Sequence, residues 1–318
     1  MLNLPLKPRI SNYFLTFRCE STCEFCIIWQ RKEFRGVEEA PAERVKHNLT
    51  DLKRLGVQSI DFTGGEPTLR EDLPEILKEA KRLNFFTTLT TDGTRYLEQA
   101  EKIKGLVDTL SFSLDAPERK EHNRIRGRDC FDLGLESLKK AKELGEKPVI
   151  NFTITRDSIR FIPEMIELAE KEKVFLHFNP VFDHFGLQGF EPISIGYLKR
   201  YFRHKLALIN LAVLEFISAG GNNPFFPRCR ADRAVITIYP DNSFISPCLY
   251  DQKKKIKIEN NLFGLYNQAR ERAGKDAVCS RCVRWDYIVP SFYYRLDKYF
   301  FLNLYSNYKN LRKGVEIK

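Results

Sequence analysis

Six short apolar runs recur along the first 180 residues, each but the last followed by a longer amphipathic stretch, and this alternation constrains the chain more than any other feature. The runs are SNYFLTF (11–17), QSIDFT (58–63), FFTTLT (85–90), DTLSFSL (108–114), VINFTIT (149–155) and VFLHFN (174–179). Their length and β-branched or aromatic content predict strands. Between them, apolar residues return at helical spacing near 42–55, 72–83, 95–104, 131–144 and 160–172, with Gly56 and Gly145 as stop signals. Strands joined by helical crossovers form a parallel sheet, and the right-handed crossover rule curls such a series. The expected fold is α/β, a partial (β/α)6 TIM-like barrel, with chemistry at the C-terminal strand ends.

The pattern breaks at 180–192, where Gly and Pro interrupt it. A single long helix is expected over 193–218, apolar around well over half its circumference. The segment 234–250 reads as a hairpin turning at Pro240, Asp241 and Asn242, followed by a short helix and a cysteine pair. The predicted division is therefore 1–190 for the barrel and 191–318 for a helical linker, a small α+β module and an aromatic tail.

With 318 residues, 43% of them hydrophobic, the chain fills a sizeable core. Both charge signs intersperse along the predicted helices, as on solvated, ion-paired faces, and with two methionines this composition is compatible with a thermophilic source. The net charge of +10 favours anionic partners. No apolar run reaches the roughly 20 residues that span a bilayer, and the first eleven residues lack the apolar centre of a signal peptide. A cytoplasmic location with reduced thiols is expected, so clustered cysteines point to metal or redox chemistry.

Three of the eight cysteines fall in CESTCEFC, directly behind the first strand. Cys19, Cys23 and Cys26 are spaced i, i+4, i+7, which also fits three thiols buried on one helix face. Their neighbours Arg18, Glu20, Ser21, Thr22 and Glu24 are polar and suit a loop around a charged object instead. Three thiolates ligate three corners of a [4Fe-4S] cube and leave one iron open. Zinc would need a fourth ligand, and the nearest histidine, His47, lies in a predicted helix.

CESTCEFC, together with FTGGEP (62–67) at the end of the second strand, resembles the CxxxCxxC and GGE motifs of the radical S-adenosylmethionine (radical SAM) enzymes. SLDAPERKEHNRIRG (113–127) is similar to the segment after the fourth strand in members whose barrel is followed by a SPASM or twitch extension. The resemblance implies that the open iron chelates the methionine moiety of SAM. It assigns Phe25 to the adenine, and Gly64, Gly65, Glu66 and Pro67 to the ammonium region. Ser113 and Asp115 then contact ribose or carboxylate, Arg126 reaches the carboxylate, and Asn151 and Phe178 are further cofactor candidates. It also implies reductive cleavage of SAM to methionine and a 5′-deoxyadenosyl radical that abstracts hydrogen from an unactivated C–H.

Cys229, Cys248, Cys279 and Cys282 form a second set of four, suited either to a closed zinc site or to another cluster. Resemblance to the twitch extension implies an auxiliary [4Fe-4S] cluster, and with it oxidation of a substrate radical. Cys130 remains as a packing residue or an exposed thiol. Candidates for the base of such an oxidation are Asp183, His184, Tyr239 and Asp241. The aromatic, cationic stretch 285–314 either packs against the open side of the barrel or forms an amphipathic surface for lipid. The expected function is a radical SAM oxidoreductase acting on a small molecule, sugar or lipid precursor. Its partners would be an electron donor such as ferredoxin or flavodoxin and an anionic membrane surface, with no nucleic acid. The alternatives are a peptide-modifying maturase and a zinc or nucleic-acid-binding protein.

Overall fold

Alternate residues of the strands fall on two sides of one sheet. Tyr13 and Leu15, Ile60 and Phe62, Leu110 and Phe112, Ile150 and Phe152, and Leu176 and Phe178 turn toward the helices in the main core. The opposite parity carries Asn12, Asp61, Thr88, Ser111, Asn151 and His177, a polar row on the concave side. The computed structural model describes residues 7–181, 192–259 and 261–316.

In chain order the elements are β1 (Ile10–Thr16), α1 (Ile27–Gln30), α2 (Ala42–Leu55), β2 (Ser59–Gly64), α3 (Leu73–Arg82), β3 (Phe86–Thr91), α4 (Tyr96–Ile103) and β4 (Thr109–Ser113). Next come α5 (Arg119–Arg126), α6 (Phe131–Glu143), β5 (Val149–Ile154), α7 (Ile162–Glu172) and β6 (Phe175–Pro180). All six expected strands and five expected helices are present within about two residues of the sequence-derived bounds. Helix α2 stops where Gly56 adopts φ +98°, a left-handed cap that glycine takes without strain. Helix α3 buries Leu73, Ile76 and Leu77 completely, each worth about 1.5–3 kcal/mol of transfer free energy.

Beyond β6 the single long helix gives way to three elements: α8 (Pro192–Arg200), β7 (Ala207–Leu208) and α9 (Leu211–Ser218). The side chain of Asn210 accepts hydrogen bonds from the amides of Ala212 and Val213 and starts a new helix. Ala207 and Leu208 meanwhile pair with β6 in parallel. A segment apolar on most sides satisfies either arrangement, and the free edge of β6 decides it.

After α10 (Ala231–Ala234), the hairpin is formed by β8 (Val235–Ile238) and β9 (Ser243–Pro247), with Asn242 at φ +62° in its turn. A further strand, β10 (Gln252–Lys257), pairs with β9. It reads QKKKIK, and its lysines conceal it from an apolar pattern search. β8 pairs in parallel with β1, so the sheet runs continuously as β10-β9-β8-β1-β2-β3-β4-β5-β6-β7.

The remaining helices are α11 (Leu262–Ala269), α12 (Trp285–Phe292) and α13 (Lys298–Glu316). α12 lies in the gap between the two ends of the curved sheet. Its Tyr287 hydroxyl bonds Thr237 of β8 at 2.8 Å, and Trp285 Nε1 donates to the Pro180 carbonyl of β6 at 3.3 Å. α13 packs on α9, where Asn210 Nδ2 donates to Asn303 Oδ1 at 2.7 Å. Among the described residues no helix is long and apolar enough to cross a membrane.

Candidate active site

The three-cysteine loop leaves β1 and is held against the end of α5. The amides of Thr22 and Glu24 donate to the carbonyls of Arg126 and Ile125 at 2.9 and 3.0 Å. Gly127 closes α5 at φ +63°, and a Cβ there would stand 2.0 Å from Thr22 Oγ1. Ser21 Oγ donates to Asp92 Oδ2 at 2.8 Å, tying the loop to the end of β3. Sequence reasoning missed Ser21 and Asp92 as a pair, because residues 71 positions apart carry no spacing signal.

Cys23 is buried, and Cys19 and Cys26 are half-buried. Burial pushes the Cys19 thiol up to about 12 and the Cys23 thiol up to about 11, so thiolates at this depth need a compensating cation. Arg126 Nη1 lies 3.5 Å from Cys23 Sγ as a donor to that sulfur. A single zinc ion would draw sulfurs to roughly 3.8 Å apart, given Zn–S bonds of about 2.3 Å. Among the described residues, the group of metal-type ligands drawn within 4.8 Å of one another is Asp251, Asp276 and Cys279, and not the three thiols of this loop. Three spread thiols with no fourth ligand fit a [4Fe-4S] cube.

The GGEP segment serves first to dock strand ends. Gly64, at φ +140°, and Gly65 stand where a Cβ would meet the carbonyl oxygens of Thr16 and Arg18 at 2.0 and 2.1 Å. Without side chains, the amides of Gly65 and Glu66 bond those same carbonyls at 2.8 Å each. Glu66 is buried and accepts at Oε1 from the Thr68 amide, the Thr68 hydroxyl and the Thr91 hydroxyl (3.0, 2.6 and 2.7 Å), and at Oε2 from the Asp92 amide at 2.7 Å. Its carboxylate thus links β2 to β3, and only Oε2 keeps a free lone pair for a ligand. Burial, then the Asp92 charge, push the Glu66 carboxyl above the usual carboxylate range. Pro67 is buried at the first position of the short turn that Glu66 caps.

Asp115 is fully buried beyond β4. Its Oδ1 accepts from the Thr153 amide at 2.8 Å, and its Oδ2 lies 2.7 Å from Arg126 Nε as an ion pair without good hydrogen-bond alignment. Arg126, expected to reach a cofactor carboxylate, pairs through Nε with Asp115 and through Nη1 with Cys23. Its guanidinium also lies 5.9 Å from the ring centre of half-buried Phe25. Behind them, His122 Nδ1 accepts the Asp115 amide at 3.1 Å and its Nε2 meets Cys130 Sγ at 3.4 Å. Cys130 is buried, a packing residue and not an exposed thiol. Ser113 and Asn151 pair across β4 and β5 on the concave side. Phe178 has the other parity and packs in the core against Phe152 and Tyr201, at 6.3 and 6.1 Å, which removes it from the cofactor candidates.

Cys229, Cys248, Cys279 and Cys282 line one small cavity of about 20 Å³, with Asn222, Asp251, Arg284 and Tyr287 among its walls. Because β8 runs parallel to β1 and β9 returns, Cys229 and Cys248 stand at the opposite end of the β1/β8 ladder from Cys19. No three of these four sulfurs form a group within 4.8 Å either, a spacing wider than a tetrahedral zinc site. The two cysteine sets thus stand at opposite ends of one ladder.

Between them lie groups that sequence reasoning did not single out. Asp61 Oδ1 accepts from Thr88 Oγ1 at 2.6 Å, and Asp286 presents a buried Oδ1 with no partner among the described residues. Burial pushes the Asp286 carboxyl up to about 7, with Arg284 opposing the rise and Asp61 adding to it. For Asp61 the signal available in the sequence was its place as the polar member of an alternating strand. The proposed bases fare differently. Tyr239 is buried among Phe14, Phe17 and Phe34, and Asp241 Oδ2 is paired with Lys255 and Lys257 at 3.0 and 3.2 Å while its buried Oδ1 has no hydrogen-bond partner among the described residues. Asp183 and His184 lie outside the described residues.

A curved parallel sheet with three spread thiols at its mouth and a glycine-docked second strand defines an iron-sulfur enzyme. The family model of the radical SAM superfamily matches residues 13–178, and the chain belongs to that superfamily. It is 29% identical over 309 residues to a probable GTP 3′,8-cyclase of Saccharolobus solfataricus, covering 89% of this chain and 95% of that one. With the Fe-coproporphyrin III synthase of Methanosarcina barkeri it shares 34% identity over 163 residues, 50% of this chain and 40% of the relative. In fold it resembles anSMEcpe with bound AdoMet (TM-score 0.65, 15% identity), covering 98% of this chain and 95% of that one.

Proposed function

We propose that the chain is a radical SAM oxidoreductase whose substrate, a small molecule, sugar or lipid precursor, sits in the concave lumen between two [4Fe-4S] clusters. Residues 1–190 then form the SAM-cleaving unit and 191–318 a twitch-like unit, fused through the shared β1/β8 ladder. The observation that carries this reading is the convergence of Cys229, Cys248, Cys279 and Cys282 on one cavity at the far end of that ladder.

When bound, the N-terminal cluster and SAM supply a 5′-deoxyadenosyl radical by reductive cleavage of the sulfonium bond, and the auxiliary cluster supplies an electron acceptor. The chain's own groups bind and orient. Cys19, Cys23 and Cys26 hold the first cube, and Arg126 donates to the Cys23 sulfur. The strand ends at Gly64, Gly65, Ser113 and Asp115, with Phe25 and Asn151, frame the SAM site. An oxidised carbinol sheds a proton, and the unpartnered oxygen of Asp286 offers a place for it. A reductant such as ferredoxin or flavodoxin provides electrons.

Anaerobically reconstituted protein should bind about eight iron atoms per chain and release 5′-deoxyadenosine when SAM, reductant and cell extract are present together. Iron near four with full activity would remove the second cluster. No deoxyadenosine under any extract would remove the enzymatic reading.

Asp286 makes a separate prediction for the metal-free chain. Its folded carboxyl titrates near 7, against about 3.9 for an ordinary aspartate, so the folded state binds the extra proton between those values. Stability therefore falls as pH rises from 4 to 7, by at most about 4 kcal/mol. Asp286→Asn should raise the thermal midpoint at pH 8 and leave it nearly unchanged at pH 4. An equal shift at both pH values would contradict the assignment.

A further inference from the structure

A helix packed by one face on a water-soluble core normally shows polar residues outward. α13 does not. One face meets α9 through Asn303 and Ser306, while Phe301, Leu304, Tyr305, Tyr308 and Leu311 are exposed, following one another at helical spacing. Just ahead of this helix, Leu296 is 63% exposed and shares a wide cleft with Phe225 and Phe226, which are 88% and 78% exposed. Two adjacent phenylalanines so far out of the core gain nothing from folding.

The same cleft is lined by Arg230, Arg233, Arg272, Lys275 and Arg295 against two acids, Asp232 and Asp297. Asp297 is already taken by Arg228, and Asp232 lies 3.7 Å from Arg233. Among the described residues, Arg272, Lys275 and Arg295 make no ion pair. Exposed apolar tips set among uncompensated cations are what an anionic bilayer surface recognises: the tips enter the acyl boundary and the cations meet the headgroups.

We propose that this face, built from Phe225, Phe226, Leu296 and the outer stripe of α13, docks on an anionic lipid bilayer. The proposal goes beyond the reaction and does not depend on which substrate is oxidised. Two other occupants fit less well. A symmetric pairing of two copies would bring the same cations face to face. A nucleic acid would use aromatic stacking platforms, yet Leu296, Leu304 and Leu311, which offer none, are interspersed among the rings.

The test uses the full-length, cluster-reconstituted protein in flotation assays with vesicles of pure phosphatidylcholine and of phosphatidylcholine mixed with phosphatidylglycerol. Partition into the mixed vesicles alone, falling as salt is raised, is the expected result. Replacing both Phe225 and Phe226 by Ser should weaken partition by about tenfold or more. Arg272→Glu with Lys275→Glu should weaken it by about fivefold or more for each cation reversed. The side chains changed are exposed, so circular dichroism should match wild type for both variants, and the Phe pair should keep wild-type deoxyadenosine release without vesicles. Equal partition into both vesicle types, or wild-type partition by both variants, would overturn the proposal. So would the absence of flotation together with saturable pyrophosphate binding lost in the Arg272/Lys275 variant, which would mark a small-anion site. A dimer abolished by Phe301→Ser and Leu311→Ser, again without flotation, would overturn it in favour of self-association.

Discussion

Cys23→Ala should lower the iron content of reconstituted protein from about eight to about four atoms per chain and abolish 5′-deoxyadenosine release. Cys23 is the buried member of the three-thiol loop and the sulfur that Arg126 approaches. Its loss removes one of the three thiols that would hold the cube, and among the described residues no fourth ligand joins them. Cys279→Ala is the informative contrast, since Cys279 lies in the other cavity. That variant should also fall to about four iron atoms, yet still release deoxyadenosine, uncoupled from substrate turnover. Iron analysis with product chromatography on the two variants checks both statements. Identical behaviour of the two would mean that the cysteine sets do not act as separate sites.

The second large effect concerns stability. Asp115→Ala should lower the thermal midpoint by roughly 5 to 10 °C, because removing one partner of a buried ion pair costs about 3–5 kcal/mol. The aspartate is fully buried and holds both Arg126 and the Thr153 amide, so its removal leaves a guanidinium and an amide unpaired at depth. The double variant Asp115→Ala with Arg126→Met should recover much of the loss, since it removes the stranded charge as well. Scanning calorimetry of the single and double variants measures this. A double variant no more stable than the single one would show that packing, and not the charge pair, dominates.

The barrel strands were legible because their burial is one-sided: apolar members at alternate positions face a helical layer, and that period survives in one dimension. β7 and β10 were not. The first is two residues long in an apolar stretch equally content as helix, and the second is dominated by lysines at an exposed edge. Of the site, the three-cysteine loop stood out because Cys19, Cys23 and Cys26 follow one another at close spacing. The Glu66 ties to Thr68, Thr91 and Asp92 could not, since they join separate strand ends that meet only after folding. Phe178 marks one way of misjudging a residue. Its strand parity, shared with Leu176 in the main core, turns the ring away from the lumen.

The parallel register of β8 on β1 turns strand length into a ruler. Ile10 stands level with Val235 at one end, and the chain climbs to Tyr13 beside Ile238 before the first cysteine loop begins. Each residue of such a ladder advances about 3.3 Å. Inserting two residues into both strands would move the cysteine sets apart by about 7 Å while preserving every inward-facing side chain. On the arrangement proposed above, the span of molecule held between the two ends would be set by counting backbone units in one ladder, and lengthening or shortening that ladder would change which substrates are admitted.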